Sequence, residues 1–148
     1  MFVECKADKV LVRALGIPEE EIEHAGGKTG VCKRLGNSRN SKGLVDEDPL
    51  CVQPSYIEAL KSLSVKNNVK LLYDEESQNR LIILCPRLEG WILKMAREGG
   101  VEVKDYGLPA ENEDKLHRVV NTNLEGFKGL IEEMRDKGLL KSLEEFIE

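Results

Sequence analysis

Short apolar runs alternate with helical patterns over the first half of this sequence, and this alternation restricts its fold more than any other feature. Residues 1–5 predict a first strand. The next apolar side chains recur with the spacing of one helix face: Ala7, Val10, Leu11, Ala14 and Leu15. Two more strands are predicted at 21–25 and 43–45, with a short helix at 29–35 between them. Such alternation is typical of parallel strands joined by crossover helices, so we expect an α/β fold with a mostly parallel sheet flanked by helices.

The middle of the chain predicts a helix, a hairpin and a second amphipathic helix. Pro54 suits the start of a helix whose apolar face carries Ile57, Leu60 and Leu63. Residues 69–73 and 81–85 predict two strands joined by a polar turn. A further helix face is then predicted by Leu88, Trp91, Ile92, Met95 and Ala96.

The remainder of the chain is predicted to be helical after one last edge strand at 101–103. Thr122 and Glu125 have the spacing of a capping box, which predicts a helix start there. We expect a single domain over residues 1–148, with a core of about 1–104 and a helical carboxyl-terminal extension of about 105–148.

Composition excludes several classes of protein. The formal charge is 22 minus 27, or −5, which is not that of a strongly basic nucleic-acid-binding domain. The longest uncharged apolar stretch, Leu81–Pro86, is far shorter than the ~20 residues that span a bilayer. Glu4 and Asp8 interrupt the apolar run that a signal peptide requires, so we expect a cytoplasmic protein without membrane association. The four cysteines form no CxxC pair, which argues against a zinc site and favours reduced thiols.

The segment Gly43–Pro49 carries the strongest indication of chemistry. An apolar strand runs directly into Asp46 and Asp48, and side chains two residues apart on an extended chain point the same way. Both carboxylates are then expected at the carboxyl end of a strand, where open α/β sheets bind ligands. Mutual repulsion between them is relieved by a hard cation, so the pair indicates a Mg²⁺ or Mn²⁺ site. Solvated turn residues are the alternative that so short a motif leaves open.

Glu4 also lies where a strand passes into a helix. If the first and third strands are neighbours, about 4.8 Å apart, Glu4 and Asp46 reach a shared site. Three carboxylates, Glu4, Asp46 and Asp48, would then converge.

These residues give the chain a resemblance to the Toprim family. The segments FVECKADKVLVRALG and GLVDEDP resemble the family's two motifs, and Glu4, Asp8, Asp46 and Asp48 match its acidic positions. The resemblance covers roughly residues 1–85. It implies a Toprim-like, Rossmann-like fold in a small stand-alone protein. It also implies that Glu4 is the general acid/base, and that Asp46 and Asp48, with Glu4 at the edge of the site, hold Mg²⁺ for phosphodiester chemistry.

One position departs from the family pattern, and it leaves a second interpretation open. Cys5 stands where the family usually has glycine, so a side chain narrows the approach of a phosphate backbone. The leading expectation is a Mg²⁺-dependent nuclease or related phosphoryl-transfer protein that acts on nucleic acid. The alternative is a non-catalytic scaffold or subunit that binds nucleic acid, nucleotide, a protein partner or a second copy of the chain. A haloacid-dehalogenase-type phosphatase fits less well, because that family carries its DxD on the first strand.

An acid-free segment supports an anionic ligand. From His24 to Val45 there are 22 residues with no acid and five bases: Lys28, Lys33, Arg34, Arg39 and Lys42. Since the segment directly precedes the two aspartates, these bases are candidate phosphate or nucleic-acid contacts. A solvated basic surface is the alternative. His117 is expected on an exposed, charged helix face.

Overall fold

A computed structural model describes all 148 residues as a six-stranded sheet with helices on both faces. The strands are β1 (Phe2–Val3), β2 (Glu23–His24), β3 (Lys42–Asp46), β4 (Lys61–Lys66), β5 (Val69–Asp74) and β6 (Asn79–Leu84). The helices are α1 (Lys6–Ala14), α2 (Lys28–Gly36), α3 (Ser55–Glu58), α4 (Leu88–Glu98), α5 (Glu113–Val120), α6 (Leu124–Asp136) and α7 (Lys141–Ile147), with 3₁₀ turns at Glu19–Glu21 and Val103–Tyr106. None of these helices combines the length and the apolar character needed to cross a membrane.

The sheet is mixed, with a parallel half and an antiparallel half, in the order β2-β1-β3-β6-β5-β4. β1 pairs in parallel with both β2 and β3, and β3 pairs in parallel with β6. β4, β5 and β6 form an antiparallel meander. The expected α/β class and the largely parallel sheet are therefore confirmed.

Two apolar layers cover the two faces of the sheet. On the central strand β6, Ile82 and Leu84 belong to the larger cluster of 29 buried residues, whereas Leu81 and Ile83 belong to a smaller cluster of seven. This alternation follows from the period of two along a strand. The larger cluster is built with α1, α4 and the carboxyl-terminal helices, and the smaller one with α2 and α3.

The carboxyl-terminal helices pack into the same core as the sheet. Phe127, Leu130 and Phe146 are buried in the larger cluster together with Val3 of β1. α6 approaches the turn before α5 closely, since a Cβ on Gly126 would lie 2.2 Å from the carbonyl oxygen of Tyr106. Glycine therefore weakens α6 as a helix but permits this contact.

The predicted helix after Pro54 is wrong beyond its first turn. α3 ends at Glu58, and Leu63 lies in the edge strand β4 instead. β4 turns into β5 through Asn67 and Asn68, which both have positive φ. Asparagine tolerates this conformation, and a two-residue turn of this kind favours a hairpin over a continued helix.

The predicted edge strand at 101–103 is also absent. α4 ends in a glycine motif, in which Gly100 has φ +71° and the N–H of Val101 donates to the carbonyl of Ala96. This directs Val101 and Val103 into the core rather than to the sheet.

The prediction of a capping box at Thr122 is also wrong. Asn123 is the cap of α6, and its side-chain oxygen accepts from the N–H of Gly126 at 3.0 Å. The Thr122 hydroxyl donates backward to the carbonyl of Val119, at the end of the preceding helix.

Candidate functional site

A cleft of about 510 Å³ opens at the carboxyl ends of all four parallel strands. The chain leaves β1 to form β2 on one side and returns to form β3 on the other, so the strand order reverses at β1. Ligands of open α/β sheets bind outside such a reversal. The cleft is lined by Glu4, Cys5, Asp8, His24, Gly26, Gly27, Asp46, Asp48, Cys51, Arg87, Leu88, Glu89 and His117.

The pairing of β1 with β3 brings Glu4 and Asp46 together. Both residues follow or end neighbouring strands, and Glu4 Oε2 accepts from the backbone N–H of Asp46 at 2.6 Å. Asp48 lines the same cleft. The three carboxylates of the predicted site therefore share one opening.

Each of three cleft carboxylates lies at the start of a helix. Asp8 Oδ2 accepts from the N–H of Cys5, which caps α1, at 3.2 Å. Asp46 Oδ1 accepts from the N–H of Leu88, the first residue of α4, at 2.9 Å. Glu4 faces the N–H of Lys28, the first residue of α2, whose cap Gly27 has no side chain. Positive helix ends thus offset part of the negative charge.

Burial and mutual repulsion still oppose ionisation of this cluster. Burial, followed by the charges of Asp8, Glu4 and Glu89, raises the pKa of Asp46 to about 9. Burial and the charge of Glu4 raise the pKa of Asp8 to about 7. The pKa of Glu4 is also raised, mainly by burial, although the N–H groups of Asp46 and Lys28 oppose the shift. Protons or a cation are needed to hold these groups together.

Asp48 lies in the cleft, but its backbone conformation is not the extended one that the sequence predicted. β3 ends at Asp46, and Asp48 has φ +43°, so the two aspartates do not lie on one extended strand. The loop is held by Gln53, whose Nε2 donates to the carbonyl oxygens of Glu47, Asp48 and Cys51. Lys28 Nζ donates to the Glu47 carbonyl at 2.7 Å and to Gln53 Oε1 at 2.9 Å.

The five bases of the acid-free segment do not line the cleft. Lys28 is engaged in this loop, and Arg34 Nε pairs with Glu23 Oε1 at 2.8 Å. Lys42 begins β3, about 13 Å along the strand from Asp46, and donates to the carbonyl of Ile147. Lys33 and Arg39 are exposed and form no ion pair. Their role as phosphate contacts stays a prediction.

The cleft also holds Arg87, Glu89 and His117, which the sequence analysis did not assign to the site. Arg87 is the cationic side chain of the cleft, and its Nε pairs with Glu113 at 2.9 Å. Glu89 is buried in the first turn of α4, and its Oε1 lies 2.9 Å from His117 Nδ1. The available signal was the position of Arg87 and Glu89 directly after β6, a fourth strand end. His117 reaches the cleft through the packing of α5, and no pattern of neighbouring residues in the sequence indicates that packing.

The donor set of the cleft suits a hard cation. No three His, Cys, Asp or Glu side chains are arranged as a ready-made metal site. Mg²⁺ does not require one, since it keeps several waters and takes one or two carboxylates. Glu89 Oε2 is buried without a hydrogen-bond partner, and the neighbouring carboxylates have raised pKa values. These residues therefore fit Mg²⁺ or Mn²⁺.

Cys5 does not add a nucleophile to the cleft. Cys5 Sγ donates to Asp8 Oδ2, and burial together with the Asp8 charge raises the pKa of this thiol. Burial also raises the pKa of Cys32 and of Cys85 to about 11. A nucleophilic cysteine requires the opposite shift.

Comparison of the chain with protein-family models, with curated proteins and with solved structures gave no match. The geometry of the cleft is the basis for the function proposed below.

Proposed function

We propose that this chain is a Toprim-like protein that uses Mg²⁺ or Mn²⁺ to act on nucleic-acid phosphodiesters, as a nuclease or a related phosphoryl-transfer protein. The observation that carries the proposal is the convergence of Glu4, Asp46 and Asp48 in one cleft at the ends of neighbouring parallel strands. A bound divalent cation would supply Lewis-acid stabilisation of the phosphate and orient it. Asp46 and Asp48 are the ligands in this proposal, with Glu4 at the edge of the site.

The protein groups have separate tasks in this proposal. Glu4 accepts the proton of the attacking water, because burial raises its pKa and makes it a better base than a solvated carboxylate. The starts of α1, α2 and α4 face the cleft and offset part of the charge of its carboxylates. Arg87 lies at the same opening, where it is paired with Glu113 and Asp114.

A non-catalytic scaffold or subunit is the second candidate, and two observations favour it. Cys5 lines the cleft in place of the glycine typical of the resembled family. Asp8 and Asp46 accept N–H groups at the starts of α1 and α4, so these carboxylates also have a structural role. In this alternative the same cleft binds nucleic acid or nucleotide without cutting it, alone or with a protein partner or second copy.

Titration with Mn²⁺ in a calorimeter tests the cation site. The wild type is expected to bind, and an Asp46→Asn, Asp48→Asn double variant is expected to lose that binding. Glu47→Gln is the matched control, because Glu47 lies between the two aspartates but pairs with Lys70. Equal binding by the wild type and the double variant would contradict the proposal.

Cleavage assays separate the two candidates. Single-stranded DNA, duplex DNA and structured RNA are incubated with the protein and Mg²⁺. Glu4→Gln should abolish turnover while Mn²⁺ binding largely remains, because the amide still accepts from the N–H of Asp46. If none of the three is cut, the non-catalytic candidate is favoured.

A further inference from the structure

His117 and Glu89 form a pair that the proposed chemistry has not used. His117 Nδ1 lies 2.9 Å from Glu89 Oε1, and the Glu89 side chain is 5% exposed while that of His117 is 60% exposed. Both residues line the cleft that also holds Glu4, Asp46 and Asp48. One end of the imidazole is thus held by a buried carboxylate, and Nε2 has no partner in the protein.

The contact with Glu89 Oε1 involves Nδ1 of His117 and leaves Nε2 free to face a ligand. An ionised carboxylate can only accept, so Nδ1 carries a proton whenever Glu89 is ionised. Nε2 is then the nitrogen that exchanges a proton with a ligand. Glu89 is itself held in the first turn of α4, next to Leu88, whose N–H is bound by Asp46. The pair is therefore linked to the predicted metal ligands through one helix start.

We propose that His117 is the general acid of the site and that Glu89 is its positioning residue; this inference rests on the proposed phosphodiesterase function. Water attacks phosphorus, its proton passes to Glu4, and a new P–O bond forms. The bond from phosphorus to the leaving oxygen breaks, and its electron pair stays on that oxygen. The oxygen takes the proton from Nε2 of the imidazolium, which is later reprotonated by solvent as Glu4 releases its proton.

This assignment separates the two proton transfers in space. Glu4 follows β1, whereas His117 lies on α5 and is brought to the cleft by the contact of that helix with α4. A base and an acid on different elements of one cleft can serve the attacking and the leaving oxygen separately.

A pair of substrates with different leaving groups tests the role of His117. The first is whichever of the three nucleic acids the wild type cuts, and the second is bis(p-nitrophenyl) phosphate, whose leaving group departs without a proton. His117→Gln should slow cleavage of nucleic acid by about 100-fold or more and leave the nitrophenyl ester within about threefold of wild type. Arg118→Gln, an exposed change on the same helix, is the matched control and should cut both substrates as the wild type does.

The possible outcomes distinguish this inference from the proposed function. An equal loss on both substrates, or no loss on nucleic acid, overturns the role of His117 while phosphodiesterase activity stands. If the wild type cuts neither substrate, the catalytic function itself fails and the inference fails with it.

The role of Glu89 is tested by a readout that does not depend on turnover. Nitrogen-15 NMR at a pH where imidazole is neutral reports the tautomer of each ring, and the chain has only two histidines. His117 should be protonated on Nδ1 in the wild type and should lose this preference in Glu89→Gln, because an amide can donate or accept. His24, which forms no hydrogen bond with Glu89, is the internal reference. An Nε2-protonated His117 in the wild type would overturn the assignment.

Discussion

Replacing Asp46 with asparagine should change how the stability of the metal-free protein depends on pH. The carboxyl has a pKa of about 9 in the folded protein, against an ordinary value of 3.8. A group whose pKa is raised by folding stabilises the folded state fully below its unfolded pKa, and this stabilisation is lost as pH rises toward the folded pKa. The asparagine side chain has no such proton, yet its oxygen can still accept from the N–H of Leu88.

The expected change in the free energy of unfolding follows from one proton, which the folded state holds and the unfolded state does not. From about pH 6 to about pH 8, this corresponds to a loss of about 2 to 3 kcal/mol in the free energy of unfolding of the wild type, relative to Asp46→Asn. Other groups also titrate here, including Asp8, whose pKa is about 7, and the amino terminus, whose pKa is lowered by burial. Both are present in the two proteins, so the comparison reports Asp46 together with its repulsion from Asp8.

Urea unfolding in EDTA provides the assay. Trp91 is the only tryptophan and is 1% exposed, so its fluorescence reports loss of the core. Stability of the wild type should fall relative to the variant as pH rises, and Mg²⁺ should restore more stability to the wild type at the higher pH. Parallel pH profiles for the two proteins would refute the reasoning, since they would mean that Asp46 ionises as readily in the cleft as in water.

Three further changes test close contacts of the fold, the last of them in the loop beside the cleft. Asn79→Leu removes donors at 2.7 and 3.1 Å to two carbonyls at the end of α2, and should cost about 1–3 kcal/mol by urea unfolding unless water replaces them. Gly126→Ala places a Cβ 2.2 Å from the carbonyl of Tyr106; it should cost about 1–3 kcal/mol, whereas Gly36→Ala, on an exposed helix end, should not destabilise. Gln53→Ala removes three hydrogen bonds that hold the loop after β3, so limited proteolysis should cut that loop faster, and an unchanged rate would contradict this role.

The parallel half of the fold could be predicted because its signals are local. The helix face of α1 and the apolar run of β3 each lie within a short segment of the sequence. The spacing of the apolar residues in such a segment distinguishes a helix from a strand. β4 was missed because Leu63 continues the three-residue spacing of Ile57 and Leu60, which fits a helix face. The Asn67–Asn68 turn was the better signal, since two residues with positive φ favour a hairpin.

The carboxylates of the cleft could be predicted only where they lie at the ends of neighbouring strands. Glu4 and Asp46 follow from the pairing of β1 with β3, which the strand pattern suggested. The contact between Glu89 and His117 depends on two helices meeting at a particular rotation, and no sequence spacing encodes that. The bases of the acid-free segment are absent from the cleft lining for a similar reason, because α2 and β3 carry most of them away from the strand ends.

The way the cleft is assembled has a consequence for the order of folding. Glu4 and Asp46 are 42 residues apart in the chain, and Asp46 and Leu88 are another 42 apart. The β4-β5-β6 meander needs only short loop closures, whereas pairing of β1, β3 and β6 closes long ones and is slower. Repulsion between the carboxylates also rises as these strands meet. Refolding should therefore form the meander first, and a probe in the cleft should report the completion of the sheet.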